Sequence, residues 1–291
     1  MSSTADDSSL LTEFALTRRV VIEWTVLGTG VGFVAAFVFA TIYAGATGQP
    51  ELGFQLTEPT AIVVGFGLLV LSIVGVIVVH ELIHATAIWR FGGKVSFGVG
   101  VAQFVLPYAY VTTTQRLTRN QFVIVALAPL VVITSVGVLL MVALDVPLLV
   151  VPLAVNAGGA IGDLWMVGIL RRYPPNVVVE DAVTGVRIYG SADNDVLAPT
   201  TMQAFLKRIV LGSVLGFGVL LLGGIAIAVV LGTMGVQSFT LGVPDSVWSV
   251  YSFHSGPDGF EASANPIGIV AASVCLGLVY AVVALPRRLP S

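Results

Sequence analysis

Six long apolar runs alternate with short polar segments along the chain, at residues 25–45, 61–89, 122–144, 146–170, 209–231 and 266–285. A hydrocarbon core of about 30 Å takes roughly 20 apolar residues in helix, and every run meets that length. Each is therefore read as a membrane span. The polar segments between them are rich in Gly, Pro, Ser and acids, as surface turns are. The connection at Leu144-Asp145-Val146-Pro147 is so short that spans three and four must form an antiparallel hairpin.

Composition supports the pattern. Apolar residues make up 56% of the 291 positions and charged residues 10%, against about 25% charged in soluble domains. An ordinary soluble domain is excluded, and neither a cleaved signal peptide nor a nucleic-acid partner is expected. The single cysteine, Cys275, lies in the last run, which excludes an internal disulfide and a multi-thiolate metal site.

The 13 basic residues set the orientation. Arg18 and Arg19 precede span one; Arg90, Lys94, Arg116 and Arg119 separate spans two and three; Arg171, Arg172, Arg187, Lys207 and Arg208 separate spans four and five; Arg287 and Arg288 follow span six. The loops at 46–60 and 232–265 contain none. By the positive-inside rule both termini and the two basic loops are cytoplasmic. The expected fold is an all-α membrane protein with six transmembrane helices. It divides into a polar cytoplasmic tail (1–19), a four-span core with its cytoplasmic loops (20–208) and two C-terminal spans with an outer loop (209–291). In the first cytoplasmic loop, partial alternation after Gly92 and Gly93 admits a strand hairpin against the membrane or an irregular interfacial loop. Glycines 212, 216, 223 and 224 are expected to serve helix packing.

Candidate chemistry stands out because ionisable groups inside a span are costly, at about 2.5–3.5 kcal/mol for an Asp at the helix centre. Apart from Glu23 at the edge of span one, the acids and histidines within the runs are His80, Glu81, His84 and Asp163. His80 and His84, four apart, share a helix face and can grip one ion. With Glu81 they spell H-E-x-x-H, in which two imidazoles bind Zn²⁺ and the glutamate acts as general base.

A catalytic zinc takes three protein ligands and an open position, which leaves His254, Glu180 or Asp181, and Asp163 as candidates for the third. His254 falls in the outer loop, and Glu180 and Asp181 read as ordinary loop acids. Asp163 fits by depth. It precedes Arg171 by eight residues, about 12 Å of helix, while His84 precedes Arg90 by six, about 9 Å. Zn²⁺ with two neutral imidazoles and the carboxylates of Asp163 and Glu81 also sums to zero charge, which accounts for two acids with no basic partner in any span.

His80-Glu81-Leu82-Ile83-His84-Ala85, then Phe91-Gly92-Gly93-Lys94-Val95, Ala128-Pro129-Leu130 and the spacing Asn156 to Asp163 together resemble a family of zincin membrane peptidases built on a domain of unknown function. The segment is similar, more distantly, to the site-2 class of intramembrane metalloproteases. It lacks that class's proline between the Asn and the Asp, has Leu164 where that class has Gly, and is one residue shorter in spacing. The resemblance covers residues 61–190. It implies a zinc-dependent hydrolase with Glu81 catalytic, His80, His84 and Asp163 on the metal, and a membrane-protein or peptide substrate cleaved toward the cytoplasmic side of the cell membrane. Asn156, two turns before Asp163, would contact the substrate backbone or an oxyanion, or would bond a neighbouring helix. A metal transporter, a metal sensor or a non-catalytic scaffold could use the same ligands, although a transport path is disfavoured by spans three, five and six having no charged residue.

Overall fold

The computed structural model describes residues 9–48, 59–102, 106–182, 185–191, 201–244, 246, 249–256 and 259–284. Most of the first outer loop, together with Arg287 and Arg288, lies outside the described residues. Five helical stretches are long and apolar enough to cross a membrane: Arg18–Thr47, Val63–Arg90, Arg119–Ala143, Pro147–Leu170 and Lys207–Thr233. Their apolar side chains are widely exposed, as at Val63, Phe66, Leu71 and Leu139. Such helices are compatible with lipid, where an apolar surface needs no cover.

The chain forms two compact units, 1–198 and 199–291. In the first, α1 (Arg18–Thr47) starts at Thr17, whose hydroxyl accepts from the Val20 N–H, and ends at Gly48 in the left-handed conformation (φ 72°). Helix α2 (Pro59–Arg90) stops at Gly92 (φ 82°). The chain then turns back as an antiparallel hairpin, β2 (Val95–Ala102) with β3 (Leu106–Thr113), so the strand alternative for this loop is the observed one.

The hairpin runs alongside α2. The Gln115 amide donates to the Phe91 carbonyl at the helix end (3.2 Å), and the Val111 N–H donates to the Glu81 carboxylate, ten residues back along the helix. Ten helical residues cover about 15 Å and four strand residues about 13 Å, so β3 descends in step with α2 to the level of Glu81.

A short strand, β4 (Leu117–Thr118), leads into α3 (Arg119–Ala143), which opens with a reciprocal capping box between Thr118 and Gln121. The turn after α3 places Asp145 at positive φ (55°), and its carboxylate accepts from the Tyr43 hydroxyl of α1 at 2.6 Å. The expected fourth span is broken. After a 3₁₀ turn, α4 (Val150–Gly159) ends at Ala160 and α5 (Ile161–Leu170) begins. Gly158 meets Gly28 of α1 so closely that a Cβ at Gly28 would stand 2.6 Å from the Gly158 carbonyl oxygen. The glycines therefore serve close approach.

The all-α expectation is corrected. Nine strands lie among the described residues, and β1 (Ser9–Ala15), within the stretch expected to be a bare tail, joins β5 (Val178–Ala182), β6 (Gly185–Gly190) and β4 in an antiparallel sheet of order β1-β6-β5-β4. Burial alternates along β6, and Val186 and Ile188 pack with Val179, Ile169, Leu170 and Tyr173 in one apolar cluster. Arg119 ties this sheet to the helices by donating to the Tyr173 carbonyl (2.6 Å) just past α5.

The second unit contains α6 (Thr201–Thr233), a three-stranded meander of β7 (Ser238–Gly242), β8 (Ser249–Gly256) and β9 (Gly259–Ala264), and the apolar α7 (Pro266–Val283), which has 18 residues. Gly212 and Gly216 allow α6 to approach Tyr280, Gly277 and Leu276 of α7, and Gly224 meets Tyr251, whereas Gly223 has nothing within 4 Å.

Candidate metal centre

Helix periodicity brings His80 and His84 together on α2. Their rings meet edge-on with centroids 4.8 Å apart, and their Nε2 atoms are separated by 3.1 Å. The break at Ala160 restarts the helix so that Asp163 lies in the first turn of α5, where a carboxylate is favoured by the helix dipole. Asp163 Oδ2 lies 3.3 Å from His80 Nε2 and Oδ1 lies 3.5 Å from His84 Nε2. Among the described residues this is the only group of three or more His, Cys, Asp or Glu side chains able to share an ion.

The far side of each ring is anchored. His80 Nδ1 lies 2.9 Å from Asn156 Oδ1 on α4, and His84 Nδ1 lies 2.9 Å from the Val125 carbonyl oxygen on α3. A carbonyl oxygen only accepts, so both Nδ1 atoms carry the hydrogen and both Nε2 lone pairs point inward. Two lone pairs 3.1 Å apart beside a carboxylate repel one another unless a cation lies between them. The spacings suit zinc: bonds of about 2.0–2.1 Å at tetrahedral angles separate ligand atoms by about 3.3 Å. Outer bonds from Nδ1 to carbonyl groups are the usual support of metal-binding histidines.

Asn156, expected at the substrate or on a neighbouring helix, makes the second kind of contact. It is 3% exposed, and its amide nitrogen has no hydrogen-bond partner. The weighed alternatives for the third ligand lie elsewhere. Glu180 pairs with Arg116 (3.0 Å) and Arg187 (3.5 Å), and the Arg116 guanidinium holds its carboxyl below the usual range. His254 is exposed on β8, opposite Glu261 on β9. Asp181, read from the sequence as an ordinary loop acid, is instead largely buried. Its carboxylate accepts from the Thr113 N–H, and burial pushes its pKa up to about 7. Because Val111 and Thr113 both donate away from β2, the N–H groups at 109, 111 and 113 share the outer edge of β3.

Comparison with known families bears on exactly one segment of the chain. Residues 73–178 match the family model described as "Putative zincin peptidase". The match supports the zincin family and suggests metallopeptidase activity with zinc, and it takes in the second half of α2, the hairpin, α3, α4 and α5, which together carry every residue of the cluster. No curated protein and no solved structure matches the chain. The His80, His84 and Asp163 cluster is compatible with the metal that a zincin uses. The role of Val125 could not be read from the sequence, because it acts through its backbone, and neither could the burial of Asp181 against Thr113, which depends on how β5 faces β3.

Proposed function

We propose that the protein is a zinc-dependent, membrane-embedded metallopeptidase that hydrolyses peptide bonds of membrane or juxtamembrane substrates near the cytoplasmic face. The observation that carries this reading is the convergence of two Nε2 lone pairs and a carboxylate, with both histidines anchored behind, beside a glutamate that is not part of the cluster. His80, His84 and Asp163 would hold the metal. Bound there, zinc supplies a Lewis acid that lowers the pKa of a coordinated water to about 7.

Glu81 takes a proton from the attacking water and returns one to the leaving amine. The Val111 N–H orients its carboxylate toward the cluster side of the hairpin. Charge asymmetry supports a reading with six spans, α7 the last, and with the site toward the cytoplasmic leaflet, as Arg90 ends α2 and Arg171 follows α5. On the outer edge of β3 the Val111 and Thr113 N–H groups are taken by Glu81 and Asp181, which leaves the Ala109 N–H to pair with an extended substrate beside Glu81.

Two experiments test this. Glu81→Gln should retain zinc and lower cleavage of a reconstituted transmembrane peptide substrate by about 10²–10⁴-fold; normal turnover would refute the mechanism. Ala109→Pro removes an N–H from the site-facing edge without breaking a β2–β3 ladder bond, so it should impair cleavage at unchanged zinc content. Phe97→Pro, on the opposite edge, should not. Equal effects of the two would remove the edge-pairing role.

A further inference from the structure

We infer that Pro129 is a positioning residue of the metal centre: by removing one backbone N–H from α3, it frees the Val125 carbonyl to hold His84 with its Nε2 facing the metal. The inference rests on the reading of His84 as a zinc ligand.

In an α-helix the carbonyl of residue 125 accepts from the N–H of residue 129. Position 129 is proline, within the helix, so that donor does not exist. The pyrrolidine ring also crowds the carbonyl four residues earlier and pushes it off the helix axis. An interior proline destabilises a helix, and a carbonyl left unpaired at membrane depth adds to that cost. Here that carbonyl is not left unpaired. It is the Val125 oxygen, 2.9 Å from His84 Nδ1. Val125 is 7% exposed and Pro129 is among the fully buried side chains, so water does not compete for the bond.

The two histidines thus reach the same orientation by different means. His80 uses a side-chain acceptor, Asn156, whereas His84 uses a main-chain acceptor that a regular helix would have kept for itself. A backbone carbonyl has no rotamer to lose and cannot flip from acceptor to donor, as an amide side chain can. It fixes the His84 tautomer more rigidly than a side chain would. An alanine at 129 would restore the N–H, draw the carbonyl back to the helix axis and leave His84 Nδ1 without its partner.

The test compares the full-length protein in detergent with Pro129→Ala and with a variant carrying lactic acid at 129, a backbone ester that has neither the N–H nor the ring. Zinc affinity is measured by chelator competition, and the His84 tautomer by ¹⁵N NMR of imidazole-labelled, zinc-free protein. Loss of an outer-shell bond predicts an affinity about 10–100-fold weaker in Pro129→Ala, with the Nδ1-protonated form of His84 no longer dominant. The ester variant should keep wild-type affinity and the Nδ1-protonated form. Wild-type affinity in Pro129→Ala, or an ester variant as weak as the alanine variant, would overturn the inference. Should Pro129→Ala fail to fold, Pro129→Gly, which also restores the N–H, takes its place, and a dominant Nδ1-protonated His84 in that variant would overturn the inference. If wild-type protein binds no zinc, the metal-site reading fails, while the zinc-free tautomer still reports whether Pro129 sets the orientation of His84.

Discussion

The four-stranded sheet and the metal centre both gather charged side chains, but they balance them differently. In the sheet, Glu13 pairs with Arg187 at 3.3 Å, Glu180 pairs with Arg116 and Arg187, and the Arg116 guanidinium lies over the Tyr189 ring. In the centre, Asp163 meets only two imidazoles, and neither Asp163 nor Glu81 forms an ion pair with Lys or Arg among the described residues. A charge cluster on an exposed sheet can be completed by arginines that water also solvates. A cluster of inward-pointing lone pairs and acids between apolar helices is suited to completion by a cation from outside the chain.

The comparison can be sharpened first at the outer bond of His80. Asn156→Ala removes the acceptor behind His80 and should weaken zinc binding by about 10–100-fold, measured by chelator competition. An unchanged affinity would mean that Asn156 serves substrate or packing instead.

Asp181 lies between the two regions, with the burial of the centre and the strand of the sheet. Its carboxyl is raised to about 7 from 3.8, so the folded protein holds this proton more tightly than the unfolded chain. Stability contributed by the protonated form is present at low pH and lost as pH rises from about 4 to 7. In zinc-depleted protein, Asp181→Asn should therefore melt above wild type by a margin that grows from pH 5 to pH 8, with each kcal/mol worth about 2–4 °C. A margin independent of pH would show that Asp181 is not buried as a carboxylic acid.

The same contrast explains what could be read beforehand. His80, Glu81, His84 and Asp163 stood out because polar ionisable groups are rare in apolar runs, and the basic residues at the span ends gave their depth. The strands β1, β5 and β6 were hidden because Glu13, Glu180 and Arg187 interrupt short apolar alternations and make them resemble loop. The break at Ala160 falls among Gly158, Gly159 and Gly162, glycines that admit either close helix approach or local unwinding, and spacing along the chain does not choose between the two. Asn156 could be placed on the face of Asp163, but its bond to His80 depends on where α4 crosses α2, and no spacing along one chain reveals that. Pro129 was visible as a residue, but its effect is exerted on a carbonyl four positions away.

The central claim is that an external cation completes the cluster, and elemental analysis of protein purified without added metal tests it most directly. About one zinc per chain is predicted for wild type, Glu81→Gln and the sheet variant Arg187→Ala, and none for Asp163→Ala. A well-folded wild type that holds no zinc and takes up none when it is supplied, or an Asp163→Ala variant that binds as much as wild type, would contradict it.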